Sequence, residues 1–141
     1  MADLKITIEE KLTLSRVDRG ATTTQTISGI NNVDNRILSC PSGSTTTIFS
    51  LSNNPGAGTF VTSSLKYARV TNTSATPVKL YVASATLAAD FLIQTGSSFL
   101  LSTSKVSGSH AVNNFTLEDI TSVGIDPSGS AATIEYFIAT T

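Results

Sequence analysis

Apolar and polar residues alternate along most of this chain. In Leu4-Lys5-Ile6-Thr7-Ile8 and again in Lys11-Leu12-Thr13-Leu14 the aliphatic residues take every second position. An extended backbone therefore puts them on one face and the polar residues on the other. Val78, Leu80 and Val82 alternate with Lys79, Tyr81 and Ala83, and Ile134, Tyr136 and Ile138 alternate with Glu135 and Phe137. These are the two clearest strands. Runs rich in β-branched and aromatic residues predict further strands near 36–39, 46–51, 66–71, 91–94, 98–101, 115–118 and 122–125. A spacing of three and four never persists beyond a turn or two, so the pattern predicts an all-β chain. The phase changes between Leu14 and Val17. That odd interval predicts a bulge or a strand break, because a one-residue slip would turn the apolar face to solvent.

Turn chemistry agrees with the strands. Cys40-Pro41-Ser42-Gly43-Ser44-Thr45-Thr46-Thr47-Ile48 and Asp126-Pro127-Ser128-Gly129-Ser130-Ala131-Ala132-Thr133-Ile134 share Pro-Ser-Gly-Ser, two spacers and Thr-Ile. Each predicts a hairpin closed around a type I turn, with Pro presetting φ and Gly easing the exit. The pair reads either as a remnant of internal duplication or as convergent turn chemistry, and one short match favours the latter. Asn53-Asn54-Pro55-Gly56-Ala57-Gly58 predicts a longer loop. Its glycines lack the remaining spacing of a dinucleotide fingerprint.

Composition narrows the functional classes. Thr, Ser and Asn supply 22, 20 and 8 of the 141 residues, against 19 charged ones, so the polar surface is mostly neutral hydroxyls and amides. Leu, Ile, Val and Phe together supply 38 residues, enough for a packed core in one domain of this length. A net charge of −1 leaves no basic excess with which to neutralise a phosphate backbone, which argues against nucleic-acid binding. No apolar run approaches the roughly 20 residues of a membrane helix. The first ten residues are charged and alternating, unlike a secretory signal, which predicts synthesis in the cytoplasm without export by that route. Cys40 is the sole cysteine, so neither an intrachain disulfide nor a multi-cysteine metal site can form.

Charge is unevenly placed. Asp3, Lys5, Glu9, Glu10, Lys11, Arg16, Asp18 and Arg19 all fall within the first 20 residues. Four acids against four bases suit salt-bridged pairing better than one charged ligand. Residues 1–20 read as a strand-forming arm, or equally as a charged edge that resists aggregation, and residues 21–141 read as a single sandwich domain.

Candidate chemistry is sparse. His110, the sole histidine, lies in Ser107-Gly108-Ser109-His110, which reads as a solvated loop. Asp90 or Asp119 could complete a Ser-His-Asp set, but no Gly-x-Ser-x-Gly elbow occurs. Glu118, Asp119 and Asp126 lack the ligand spacing and central glycine of a calcium loop. Glu9 and Glu10 are strand neighbours pointing to opposite faces, so they cannot act together on one bond. Asn72-Thr73-Ser74 and Asn114-Phe115-Thr116 match the glycosylation pattern by chance in a Thr-rich chain. Cys40 reads as a small buried apolar residue. Tyr67, Tyr81 and Phe49 could form a stacking platform for sugars, although with no Trp most aromatics are needed in the core. The inventory predicts no enzyme, no cofactor and no metal.

One resemblance is specific. Arg36-Ile37-Leu38-Ser39-Cys40-Pro41-Ser42-Gly43-Ser44, Gly58-Thr59-Phe60, Lys66-Tyr67-Ala68-Arg69-Val70-Thr71-Asn72 and Gly96-Ser97-Ser98-Phe99-Leu100-Leu101 span about half the chain. They resemble small β-sandwich structural proteins of tailed bacteriophages, in which a Lys-Tyr-x-Arg-(Val/Ile)-Thr-Asn strand precedes a Gly-x-Ser-Phe strand. The resemblance implies a virion location and a capsid decoration or cement role, with a tail or fibre module that binds a receptor or glycan as the alternative. It also implies a homo-oligomer, a trimer in first place, that contacts the major capsid protein or other virion proteins, with no nucleic acid or membrane partner. The expected fold is an antiparallel β-sandwich, jelly-roll-like, with an amino-terminal β arm. In that setting the arm pairs a strand with a neighbour, and its candidate assembly contacts are Leu4, Ile6, Ile8, Leu12, Leu14, Arg16 and Arg19.

Overall fold

Strands whose apolar residues recur every second position must pair their backbones and cover one face, and the chain does this in two separate places. A computed structural model describes residues 1–54, 56–104, 106–109, 114–117 and 119–141, with 106–109 and 114–117 as backbone alone. Two compact units result, Met1–Asn31 and Asn32–Thr141.

The first unit holds β1 (Ala2–Glu10), β2 (Thr13–Leu14), β3 (Val17–Asp18) and β4 (Ala21–Ile30). β1 and β4 pair antiparallel from Glu10 opposite Ala21 to Ala2 opposite Ile30. The unit thus ends after Asn31, beyond the residue 20 expected from the charge distribution, because Ala21–Ile30 is the partner strand of β1. The phase change between Leu14 and Val17 is a strand break at a two-residue turn: β2 pairs with β3, and Ser15 and Arg16 have φ of 53° and 66°. Hairpin geometry requires that left-handed backbone, although neither residue favours it. Asp18 Oδ1 accepts the Gly20 N–H at 2.8 Å. A Cβ on Gly20 would lie 2.3 Å from the Glu10 carbonyl oxygen, so only glycine fits there. Farther along, β4 carries one extra residue near Gly29, whose φ is 82°, and β1 stays regular opposite the bulge.

The second unit holds β5 (Asn32–Cys40), β6 (Thr46–Ser52), β7 (Thr59–Val61), β8 (Leu65–Asn72), β9 (Val78–Ala83), β10 (Ala88–Ile93), β11 (Ser98–Leu101), β12 (Val106–Ser109), β13 (Asn114–Leu117), β14 (Ser122–Asp126) and β15 (Ala132–Thr140). One sheet has the order β10-β9-β14-β6-β7 and the other β11-β8-β15-β5, while β12 pairs with β13. Apart from β7, which adds to β6 in parallel, the eight strands of the two sheets pair antiparallel. Among those eight the chain changes sheet at every connection except β9 to β10. This is the order of a jelly roll, in which two Greek keys close a sandwich. The fold class expected from the sequence is the one found.

Both Pro-Ser-Gly-Ser segments depart from the expected hairpins. The first carries the chain from β5 in one sheet to β6 in the other, and the second carries it from β14 to β15. They are arches between sheets that lie side by side, with the Gly43 N–H donating to the Pro127 carbonyl at 3.5 Å. Gly43 has φ of 76° whereas Gly129 is not in the left-handed region, so equal sequences turn by different backbone routes. Local turn chemistry sets where a strand stops. Which sheet the next strand joins depends on where its apolar face is buried.

The core lies between the two inner faces. Leu80, Val78 and Val82 from β9, Ile125 and Val123 from β14, and Ile134 and Ile138 from β15 are at most 2% exposed. Phe49 packs with ring centroids 6.2 Å from Tyr136 and 6.4 Å from Phe60. At the far edge Phe91 of β10 meets Phe99 of β11 at 4.9 Å and joins the two sheets there. Among the described residues one polar side chain is fully enclosed. Asn72, at 0% exposure, donates Nδ2 to the carbonyls of Thr76 at 2.8 Å and Ile93 at 3.1 Å. Its Oδ1 accepts from the Ser74 N–H and hydroxyl. Its own backbone accepts from Gly96 N–H at 2.8 Å and donates to Ser97 at 3.0 Å. The Asn72-Thr73-Ser74 match is therefore a buried junction and not a surface acceptor for sugar.

Candidate assembly surface

Strand pairing gives the amino-terminal hairpin two unlike faces. Leu4, Ile6 and Ile8 project on the face that also carries Ile27, since Leu4 stands opposite Ile27. Lys5, Thr7 and Glu9 project on the other, where the Thr7 hydroxyl hydrogen-bonds the Thr24 hydroxyl at 3.4 Å. Leu4 and Ile6 are half-buried. Ile8, Leu12, Leu14 and Val17 stay 47%, 56%, 59% and 51% exposed, and Arg16 and Arg19 are exposed beside them. The seven residues singled out in the sequence thus all lie on the hairpin or its tip. Of the eight charges, Lys11 and Glu9 form the one ion pair found in this unit among the described residues, at 3.1 Å and in solvent. That accounts for little stability. A two-stranded hairpin is itself marginal in water, and this one leaves Ile8, Leu12, Leu14 and Val17 largely uncovered.

The second unit offers an edge of its own. β5 borders the four-stranded sheet and, among the described residues, pairs only with β15. On its outer face Val33 and Ile37 are 49% and 71% exposed. On its inner face Asp34 Oδ1 accepts from Arg36 Nε at 2.9 Å, and Oδ2 accepts from the Tyr136 hydroxyl at 2.6 Å. Burial pushes the Asp34 carboxyl up, but the Tyr136 and Arg36 hydrogen bonds outweigh it and hold the group below its ordinary value. Burial and then the Asp34 hydrogen bond push the Tyr136 phenol up to about 12. Asp34 and Arg36 line a polar cavity of about 260 Å³ with Gly56, Gly58 and Thr59. Chemically the triad is a lock: the phenol is held protonated and the carboxylate ionised, neither being poised for proton transfer near neutral pH.

Among the described residues, those considered for chemistry do not converge. His110 and Glu118 lie outside the described residues. Asp90 is exposed on the outer side of β10, opposite Tyr81. Asp119 has φ of 46° in an exposed turn, and Asp126 ends β14. Among the described residues no three His, Cys, Asp or Glu side chains stand close enough to hold a metal. Cys40 is buried at 0% exposure, and burial pushes its thiol up with partial relief from the Thr46 side chain. The aromatic platform does not form, because Phe49 is a core residue at 2% exposure while Tyr67 and Tyr81 belong to different sheets. Sequence reasoning missed the Asp34-Arg36-Tyr136 triad. The inward alternation of Asp34, Arg36 and Leu38 was its available signal, hidden because two charged residues on an inner face look like an outer one.

No family model matches the chain, and no curated protein matches it. A solved structure of the disulfide-linked pili of Bacillus endospore appendages is similar over 77% of this chain and 84% of that one, at 17% identity and a TM-score of 0.45. A likeness of that degree carries no functional assignment.

Proposed function

We propose that this chain is a structural subunit of a phage virion, a capsid decoration protein that stabilises the particle through contacts between subunits. The observation that supports this reading is the amino-terminal hairpin, on which Ile8, Leu12, Leu14 and Val17 stand about half exposed to solvent. A patch of that kind is what a partner surface covers. The hydroxyl-rich strands fit the role, since Thr favours extended backbone and hydrogen-bonds without carrying charge. The phage setting comes from the sequence resemblance. Mass spectrometry of purified virions tests the proposal: the protein is expected as a stoichiometric component of the particle, and its absence from intact particles would sink the idea.

A further inference from the structure

We infer that the open edge of β1 pairs antiparallel with the β1 of a second copy, about a two-fold axis at Thr7, to make a continuous four-stranded sheet in the order β4-β1-β1-β4. Among the described residues β1 has a single strand neighbour, β4, so its other edge presents backbone N–H and C=O groups to whatever can pair with them. The sequence of that edge selects a copy of itself. Along the polar face run Asp3, Lys5, Thr7, Glu9 and, just past the strand, Lys11. Read outward from Thr7 in either direction, each charge mirrors its opposite. Two-fold antiparallel pairing centred on Thr7 therefore sets Lys5 against the second copy's Glu9 and Asp3 against its Lys11, twice over.

On the apolar face the same register keeps the aliphatic residues at its centre, with Leu4 opposite Glu10 of the other copy at each end. Ile6 of one copy falls opposite Ile8 of the other, also twice, so the half-exposed Ile8 gains a neighbour on an aliphatic stripe that continues through Leu4 and Ile27. Other registers are worse. A shift of two residues one way puts Asp3 against Glu9, and a shift the other way puts Lys5 against Lys11. A shift of four puts Lys5 on Lys5 or Glu9 on Glu9, and an odd shift sets the apolar face against the polar one. Parallel in-register pairing also matches like with like. The free edge of β4 offers no such code, as Ala21–Ile30 carries no charge. The charges of the arm thus act as a register device, which the single ion pair within the unit does not explain.

This inference deepens the assembly reading by naming the partner of the hairpin, and it concerns the protein in solution, whatever particle it joins. Sedimentation of the full chain over a range of concentrations tests it. The wild type is expected to form a dimer. Lys5→Glu and Glu9→Lys should each weaken self-association on the order of tenfold or more, because two attractive pairs become repulsive. Mixing the two variants should restore a one-to-one dimer, since one copy then presents only acids and the other only bases at these positions. Recovery by mixing also shows that both variants are folded. A wild type that stays monomeric, a trimer, single variants that dimerise like wild type, or a mixture that fails to recover would overturn the inference. Virion incorporation with no dimer would refute the pairing and leave the structural role standing, and a dimer absent from virions would do the reverse.

Discussion

Tyr136 and Asp34 show how a single pair ties the edge strand β5 to the core and makes its hold depend on pH. The phenol is pushed up from 10.0 to about 12, first by burial and then by Asp34. Below its ordinary value both folded and unfolded chains keep the phenolic proton, and the stabilisation is fully present. Between that value and about 12 the unfolded chain releases the proton while the folded chain retains it, so stability falls as pH rises. For Asp34 the sign is reversed: its stabilisation is present above the ordinary 3.8 and is lost as pH falls through the lower folded value. The urea midpoint should therefore decline on the alkaline side, and Tyr136→Phe should lessen that decline. At neutral pH the same variant should cost about 1 kcal/mol, for one hydrogen bond to a carboxylate that still keeps Arg36. Equal alkaline slopes in both proteins would show that the phenol is not the group responsible.

Among elements, Asn72 ties the end of one strand to three neighbouring segments. Its side chain ties the end of β8 to the turn before β9 and to the last residue of β10, and its backbone binds the turn before β11. Asn72→Ala would remove the side-chain donor to the buried Ile93 carbonyl and the acceptor of the Ser74 amide, while the Thr76 carbonyl would keep the Ser74 hydroxyl. The expected loss is about 2–4 kcal/mol, read as a lower urea midpoint at unchanged slope. A variant as stable as wild type would mean that water replaces the side chain. The alternation of β8, β9 and β15 made them legible because each has one face in the core. β4 was not legible: Thr22-Thr23-Thr24-Gln25-Thr26 has no apolar period, because both faces of that stretch are exposed. β7, at three residues, is too short for a period to show. The two arches were misread for a further reason, since a turn of four residues carries no record of the sheet it leads to. In the candidate assembly surface the charges of β1 were visible in the sequence, and its partner strand was the part that pairing alone could reveal.

At the scale of the whole molecule, the division of labour follows from where the core lies. Every residue of the connected hydrophobic cluster falls between Cys40 and Ile138, and Met1–Asn31 forms its own unit. Removing residues 1–20 alone would strip β4 of its partner and leave a Thr-rich strand unpaired. The cleaner cut is at Asn32. A chain starting there should keep the β-sheet circular dichroism of the sandwich and unfold in one cooperative step, with a stability within about 1 kcal/mol of the parent, because it keeps the entire cluster. It should also lose self-association, since the strand that encodes the register is gone. A truncated chain that fails to fold would show that the jelly roll depends on the hairpin. One that folds and still associates with the parent's affinity would move the interface to the sandwich, where the exposed Val33 and Ile37 on β5 are the first residues to change.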